Sequence, residues 1–445
     1  MGLRDIALTL AIFGALPFIF SRPYLGILIW SWLSYMNPHR LTWGFAYTMP
    51  FAQIVAIVTI VSFIFSKEPK KFPINAVTII WLVFLIWMLV TTFNAIYFDS
   101  AITQLIKVYK IQFITILSVI LITTRERIYL LIWVIVISIG FYGIKGGIFT
   151  LAVGGGSRVY GPPGSFIEEN NSLALALLMI LPLIRYLFMQ EKNKWIRFSL
   201  LGAMVLCSFS ILGSFSRGAF LAAGCVAIFF WLKGSKKIIS GVAIVGVAVI
   251  AVSFMPQHWH QRMDTIRTYD EDISAMGRIL AWRYTVNVAS ARITGAGFES
   301  WSTYTFQLYA PLPADADEIS KLAYQGRAAH SIYFSVLGDH GWFGLLLFLI
   351  IGMLSWRTGT WIIKNSKEDK ELKWLTDLAR MIQVSLIAYG SGGMFLSLAY
   401  YDLPWHLMAI LIISKQYLEN YLNEQGNNKS ADSNGSVSLQ SRKAA

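Results

Sequence analysis

Apolar runs alternate with short polar breaks along almost the whole chain, and a long stretch at 255–330 interrupts the rhythm. The runs fall at about 6–20, 24–36, 51–66, 76–95, 103–122, 128–150, 172–189, 198–213, 217–232, 238–254, 331–356, 376–398 and 403–418. A helix crossing a hydrocarbon core needs roughly 17–25 predominantly apolar residues. The first two runs are short and are interrupted by Pro17, Ser21 and Pro23, so they read as two tilted helices or one broken unit. The pattern predicts an all-α polytopic membrane protein of about 12 transmembrane helices. It divides into an N-terminal helix bundle (1–254), a long connection (255–330), C-terminal membrane helices (331–420) and a polar tail (421–445) of disordered composition.

Charge sets the orientation. Charged residues make up 14% of the 445 positions and apolar residues 56%, whereas a soluble domain carries roughly 25% charged residues. A net charge of +13 would suit nucleic acid in a soluble chain. Here the basic residues instead cluster in alternate connections: Lys67, Lys70 and Lys71; Arg125 and Arg127; Lys192, Lys194 and Arg197; Lys233, Lys236 and Lys237; then Arg357, Lys364, Lys367, Lys370 and Lys373. That is the positive-inside distribution. It makes those loops and the tail cytoplasmic, and it names membrane lipids rather than nucleic acid as partners. The complementary connections at 96–102, 151–171, 214–216, 255–330 and 399–402 are then external. The longest holds seven Lys/Arg against eight Asp/Glu, a balance that translocates readily, and at its length it is expected to be partly helical and functional. Arg4 is offset by Asp5 and the first run leads into further apolar runs, so the first segment is expected to stay as a membrane helix. Cys207 and Cys225 both lie within apolar runs and read as core thiols.

The chemistry concentrates in four external stretches. GGGSRVYGPPGSFIEENNSLALAL (Gly154 to Leu177) forces an irregular backbone and then opens a helix that Asn170 or Asn171 is placed to cap. Free N–H groups at such a start attract anions; Glu169, Asn170 and Asn171 stand directly at the membrane entry and, with Arg158, are secondary candidates. GSFSRGAF (Gly213 to Phe220) joins two apolar runs almost without a loop. Ser214 and Ser216 are candidate caps, and Arg217 beside a helix start suits a phosphate; the plain alternative is an interfacial arginine snorkelling to headgroups. GRILAWRYTVNVASARITGAGFESW (Gly277 to Trp301) places Ile279, Trp282, Val286, Ala289 and Ile293 on one apolar face. Arg278 and Arg283 flank that face, as in a helix lying in the membrane interface, while Arg292 reads as solvated. AAHSIYFSVLGDHGWFGLL (Ala328 to Leu346) puts His330 at the outer boundary with Ser331 as a helix cap. An unperturbed imidazole pKa near 6.5 makes His330 a candidate base. Gly338, Gly341 and Gly344 permit close helix contact, and His340 lies roughly 15 Å further along a helix, too far to share a proton with His330. Walker, strand-associated GxGxxG, HExxH and external DxD patterns are absent, and His258 and His260 lack further ligands. No metal and no cofactor are expected, so an external phosphate-bearing substrate would have to be neutralised by arginine.

These motifs, in this order and over about Gly26 to Trp405, resemble the O-antigen ligase/polymerase superfamily, most closely its exosortase-associated branch of O-glycosylation ligases. SFSRGA, GRILAW with ITGAGF, and above all AHSIYFSVLGDHGWFG carry the resemblance. The resemblance implies a bacterial inner-membrane glycosyltransferase with its active site facing the periplasm. It would transfer a preassembled glycan from a polyprenyl diphosphate carrier to a hydroxyl of lipid A core, protein or polysaccharide, without nucleotide sugar or metal. By matching motif, Arg217 and Arg278 would bind the diphosphate and His330 would act near the acceptor, as base or orienting residue, with Arg283 secondary. A polymerase extending the glycan on its own carrier fits the same residues. A lipid-linked glycan transporter is a third reading, for which Lys107, Lys110 and Lys145 are the intramembrane ionisable candidates.

Overall fold

The computed structural model describes residues 2–233, 237–264 and 273–443, with side chains beyond 425 outside the description. Every apolar run of the sequence lies on a helix. In chain order these are α1 (Leu3–Ser21), α2 (Pro23–Met36), α3 (Phe51–Phe65), α4 (Ala76–Phe93), α5 (Phe98–Leu121), α6 (Arg125–Ala152), α7 (Asn170–Gln190), α8 (Lys194–Gly213), α9 (Arg217–Lys233), α10 (Lys237–Ser253), α11 (Gln257–Asp264), α12 (Ile273–Ala291), α13 (Thr303–Tyr309), α14 (Glu318–Ala323), α15 (Ile332–Ser366), α16 (Lys373–Gly392) and α17 (Asp402–Lys443). No strand occurs among the described residues. Seven helices (α1, α4, α5, α6, α7, α8 and α15) are long and apolar enough to cross a membrane, with α3 and most of α9 as shorter apolar helices. The chain is an all-α polytopic membrane protein.

Pro23 at the first position of α2 and the bend at Arg22 make the first two runs separate helices. The 255–330 connection carries α11 to α14. The tail departs from its composition, for α17 continues as helix to Lys443, extending the buried apolar stretch at 403–413 without a break. Of the basic group between α9 and α10, Lys236 and the side chains of Lys233 and Lys237 lie outside the described residues, as does the His258 side chain. Cys207 is buried as expected, whereas Cys225 is exposed, because its side of α9 lines an open groove.

At the centre stands α7, with 78% of its apolar window buried inside the protein and neighbours α6, α8, α9 and α16 around it. A helix apolar all round is a core helix, and its start at Asn170 is thereby fixed in space. Backbone bonds tie the connections to the rest of the fold. Val159 N–H donates to Gly213 O at 3.1 Å and Ile96 N–H to Ala296 O at 2.9 Å. Arg292, read as a solvated residue, instead donates from Nε to Gly295 O and from Nη2 to Asn94 O, tying the end of α12 to the α4–α5 connection.

The glycines of GDHGWFG open α15. At Gly341 the backbone leaves helical geometry (φ 69°, ψ −176°). The carbonyls of Gly338 and Asp339 then accept from Ala296 N–H at 2.8 Å and Gly297 N–H at 3.0 Å. ITGAGF therefore docks on the break in α15 through backbone groups, and that junction sets where α12 lies. A side chain at Gly341 would meet the Ile293 carbonyl in a conformation L residues rarely adopt. Gly341→Ala is expected to cost at least ~2 kcal/mol and to lower the thermal unfolding midpoint in detergent. Gly352→Ala, on the same helix with nothing within 4 Å, should leave it unchanged or slightly raised. Equal midpoints for the two variants would contradict this role of the break.

Candidate functional site

The turn between α8 and α9 is built from the serines of SFSR. Ser214 Oγ accepts from Ser216 N–H at 3.2 Å, and Ser216 Oγ caps α9 by accepting from Ala219 N–H at 3.1 Å. Between them Phe215 adopts φ 58°, a left-handed conformation uncommon for a bulky residue. This reversal places Arg217 on the first turn of α9. Gly218 lets the connection between α16 and α17 approach, since a side chain there would press on Phe395 Cβ at 3.1 Å.

The start of α7 meets the same turn. The N-cap position belongs to Glu169, which makes no side-chain cap bond. The sequence-based expectation of an asparagine cap is thus corrected: Asn170 Nδ2 donates instead to Ser214 O at 2.6 Å. Its amide is spent joining two helix starts, which leaves the first N–H groups of α7 beside the next residue, Asn171. Asn171, Ser216, Arg217, Gly218 and Arg278 line one small pocket, closed by Phe215, Phe395 and Leu396. Two guanidinium groups and two helix N-termini share it, and all four carry positive charge.

Arg278 reaches the pocket from α12, but that helix sits differently from its expected orientation. Its buried residues are Gly277, Leu280, Ala281, Tyr284, Thr285, Val288 and Ala289, while Ile279 and Ile293 are 39% and 81% exposed. The small residues face α15, where Thr285 lies against Gly338. The predicted face is split: Ala289 is buried, Trp282 and Val286 are half-buried and Ile279 is exposed, while Leu280, Tyr284 and Val288 pack inward instead. Arg283 is exposed on another side of α12, where its charge acts on Tyr324. Arg158 is exposed in the α6–α7 connection. Neither lines the arginine pocket.

His330 precedes α15 in a left-handed conformation (φ 46°), and such strain at a non-glycine residue points to a functional constraint. It is held from both sides: Trp282 Nε1 donates to Ala329 O at 2.8 Å, and the Trp282 ring stacks on Phe334 with centroids 4.8 Å apart. Ser331 occupies the N-cap position without the side-chain bond expected of it. Burial, first, and the Arg278 charge, second, lower the His330 pKa below 6.5; Glu169 acts the other way, and Arg327 adds to the lowering. His330, Arg278 and Glu169 are thus within electrostatic reach of one another. Arg327, which sequence reasoning missed, lies across Gly277 with Nη1 2.8 Å from where a Cβ would stand; its nearness to His330 in GRAAHS was the available signal. His340 is a packing residue, bonded through Nδ1 to Thr91 Oγ1 at 2.7 Å and enclosed by Phe84, Phe298 and Tyr400.

An apolar groove of about 820 Å³ runs beside this pocket, lined by Leu181, Ile211, Phe220, Ile228 and Trp259 among others. Ser216 belongs to the walls of both. Lys107, Lys110 and Lys145 are exposed. Among the described residues, no group of three or more His, Cys, Asp or Glu stands together as a metal site.

The fold and this arrangement define a polytopic membrane protein with a cationic pocket at the end of an apolar groove. Residues 202–349 match the family model described as O-Antigen ligase, and residues 3–192 match one described as a family of unknown function (DUF5935). The segment matched by the O-antigen ligase model holds Arg217, Arg278 and His330 and supports the O-antigen ligase superfamily. No curated protein matches the chain.

The environment of His330 gives a signed pH prediction. A lowered pKa keeps the imidazole neutral at pH 7, and the unfolded chain binds the proton more readily, so this group's contribution to stability falls as pH drops through 6.5. Glu169→Gln removes an influence that raises the pKa, and should move His330 titration to lower pH. Arg327→Gln should move it up. The pH dependence of His330 carbethoxylation by diethyl pyrocarbonate, followed by mass spectrometry, reads both; unmoved midpoints would refute the electrostatic coupling.

Proposed function

We propose that the protein is a ligase-type glycosyltransferase that moves a preassembled glycan from a polyprenyl diphosphate carrier to an acceptor hydroxyl at the periplasmic face of a bacterial inner membrane. The observation that carries this reading is the wall shared at Ser216: an apolar groove of lipid-binding size ends where two arginines and two helix N-termini meet. A polyprenyl diphosphate has that same order of parts. The O-antigen ligase match supports glycosyl transfer, and the resemblance to the exosortase-associated branch favours protein or exopolysaccharide over lipid A core as acceptor.

In the proposed step the acceptor oxygen attacks the anomeric carbon, and the bond from that carbon to the diphosphate oxygen breaks. The acceptor proton passes to His330, which is neutral at pH 7 because burial and Arg278 disfavour its protonated form. The departing carrier gains one negative charge, which Arg217, Arg278 and the N–H groups opening α7 and α9 stabilise. Arginine supplies this in place of a divalent cation, its fork matching phosphate oxygens.

Arg217→Ala and Arg278→Ala should each lower transfer by about 100-fold or more, with unfolding midpoints near wild type. Lysine at either position should restore only part of the rate, since it keeps the charge and loses the fork. Transfer from purified lipid-linked glycan to a defined acceptor is the assay, and activity should survive chelation. Loss in chelator that Mg²⁺ restores would overturn the arginine mechanism. Elongation of the lipid-linked glycan with no other acceptor present would replace the ligase reading with the polymerase one.

A further inference from the structure

Another polar cavity, of about 160 Å³, takes no part in the step above. Four distant segments build it: the end of α2 with Asn37, Lys107 of α5, the GPPGSF turn with Phe166, and Tyr401 with Asp402 at the start of α17. Asp402 and Tyr401 are 1% and 3% exposed. Asp402 uses Oδ2 to accept from Ser34 Oγ, and the backbone N–H groups of Asp402 and Leu403 also favour its carboxylate; the Tyr401 hydroxyl has no hydrogen-bond partner. Buried polar atoms are satisfied almost everywhere in folded proteins, so an unpartnered buried hydroxyl beside a buried carboxylate in one cavity calls for a polar ligand.

The lining defines the ligand's chemistry. Lys107 Nζ lies 4.2 Å from the centre of the Phe166 ring, and Phe166 packs against Tyr401 with centroids 6.0 Å apart. Among the described ion pairs none joins Lys107 to Asp402, so an acceptor and a donor of opposite charge both line the cavity. The carboxylate disfavours an anion and an apolar chain, and the ammonium disfavours a cation. Aromatic surface, a carboxylate, an ammonium, a phenol and an amide together suit a neutral polyhydroxylated ring, whose hydroxyls both donate and accept.

Position ties this cavity to the arginine pocket. The chain segment that supplies Phe166 and Ile167 here supplies Asn171 there, and the one that supplies Tyr401 and Asp402 here supplies Phe395 and Leu396 there. From Ile167 to Asn171 the chain spans at most about 14 Å, the reach of a short oligosaccharide.

We propose that this cavity is a saccharide subsite seating one neutral sugar ring of a glycan; the placement of that glycan's reacting end at His330 rests on the transferase reading, while the subsite itself does not. Tyr401→Phe is the decisive variant. Removing an unpartnered buried hydroxyl should leave stability unchanged or improved, so a merely structural role predicts no loss of any kind. The probe is the oligosaccharide released by mild acid from the cell's own lipid-linked glycan, observed by saturation-transfer difference NMR with the full-length protein in nanodiscs. Apparent affinity should fall about 5-fold in Tyr401→Phe and about 10-fold or more in Asp402→Asn, where a bond to a charged group is lost, while Arg217→Ala binds the released oligosaccharide like wild type. Unchanged affinity in Tyr401→Phe, or no binding to wild type, would overturn the subsite. In the transfer assay, a raised KM for the lipid-linked donor assigns the ring to the donor glycan, and a raised KM for a saccharide acceptor assigns it to the acceptor. Oligosaccharide binding that depends on Tyr401, in a protein that transfers nothing, would keep the subsite and remove the transferase reading.

Discussion

Concentrated positive charge at the mouth of an apolar groove is the constraint around which this molecule is arranged. Arg217 and Arg278 come from helices far apart in the chain, and the starts of α7 and α9 add their own positive ends to the same pocket. Like charges held together repel, the more so where little water screens them, so the scaffold has to be stiff. The stiffness comes from burial of α7 on nearly every side, from the Asn170 amide clasping Ser214 O, and from the serine caps of the α8–α9 turn. Strained backbone at Phe215 and His330 fits the same picture, because left-handed bulky residues persist only where their surroundings fix them.

The backbone junction between ITGAGF and the break at Gly341 plays the complementary part. It positions α12 against α15, and α12 carries both Arg278 and Trp282, whose indole holds the residue before His330. Motifs more than forty residues apart in the sequence thus act as one mechanical unit. Pocket and groove share a wall at Ser216, and the polar cavity is joined to the pocket through the chain segments 166–171 and 395–402, a layout suited in the proposed reading to a substrate with a lipid tail, a diphosphate and a glycan.

Much of this was legible in the sequence, for a physical reason. A bilayer dictates helix length, so the apolar runs marked the helices, and the polar interruptions marked the connections that meet at the site. Arg217 and His330 stood out because each breaks an expected pattern at a helix boundary, and Arg278 because it flanks an apolar helical face. Other features were hidden. The buried face of α12 lies one or two positions from the predicted one: Leu280, Tyr284 and Val288 pack inward with Gly277, Ala281 and Thr285, while Ile279 of the predicted face is exposed, because the glycine and threonine gave that face little apolar signal. Asn170 was read as a cap because local spacing cannot reveal a bond to Ser214, 44 positions away. Asp402 and Tyr401 carried no motif; their meaning arises only where α2, α5 and the GPPGSF turn close around them.

The central claim is that the cationic pocket holds a diphosphate whose lipid lies in the adjoining groove. Native mass spectrometry of the purified protein with added long-chain polyprenyl diphosphate tests it directly, with the matching polyprenol as control. The account predicts retention of the diphosphate lipid over the alcohol, competition by inorganic pyrophosphate, and loss of that preference in Arg217→Gln and Arg278→Gln. Equal retention of both lipids, or a preference that survives both substitutions, would contradict it.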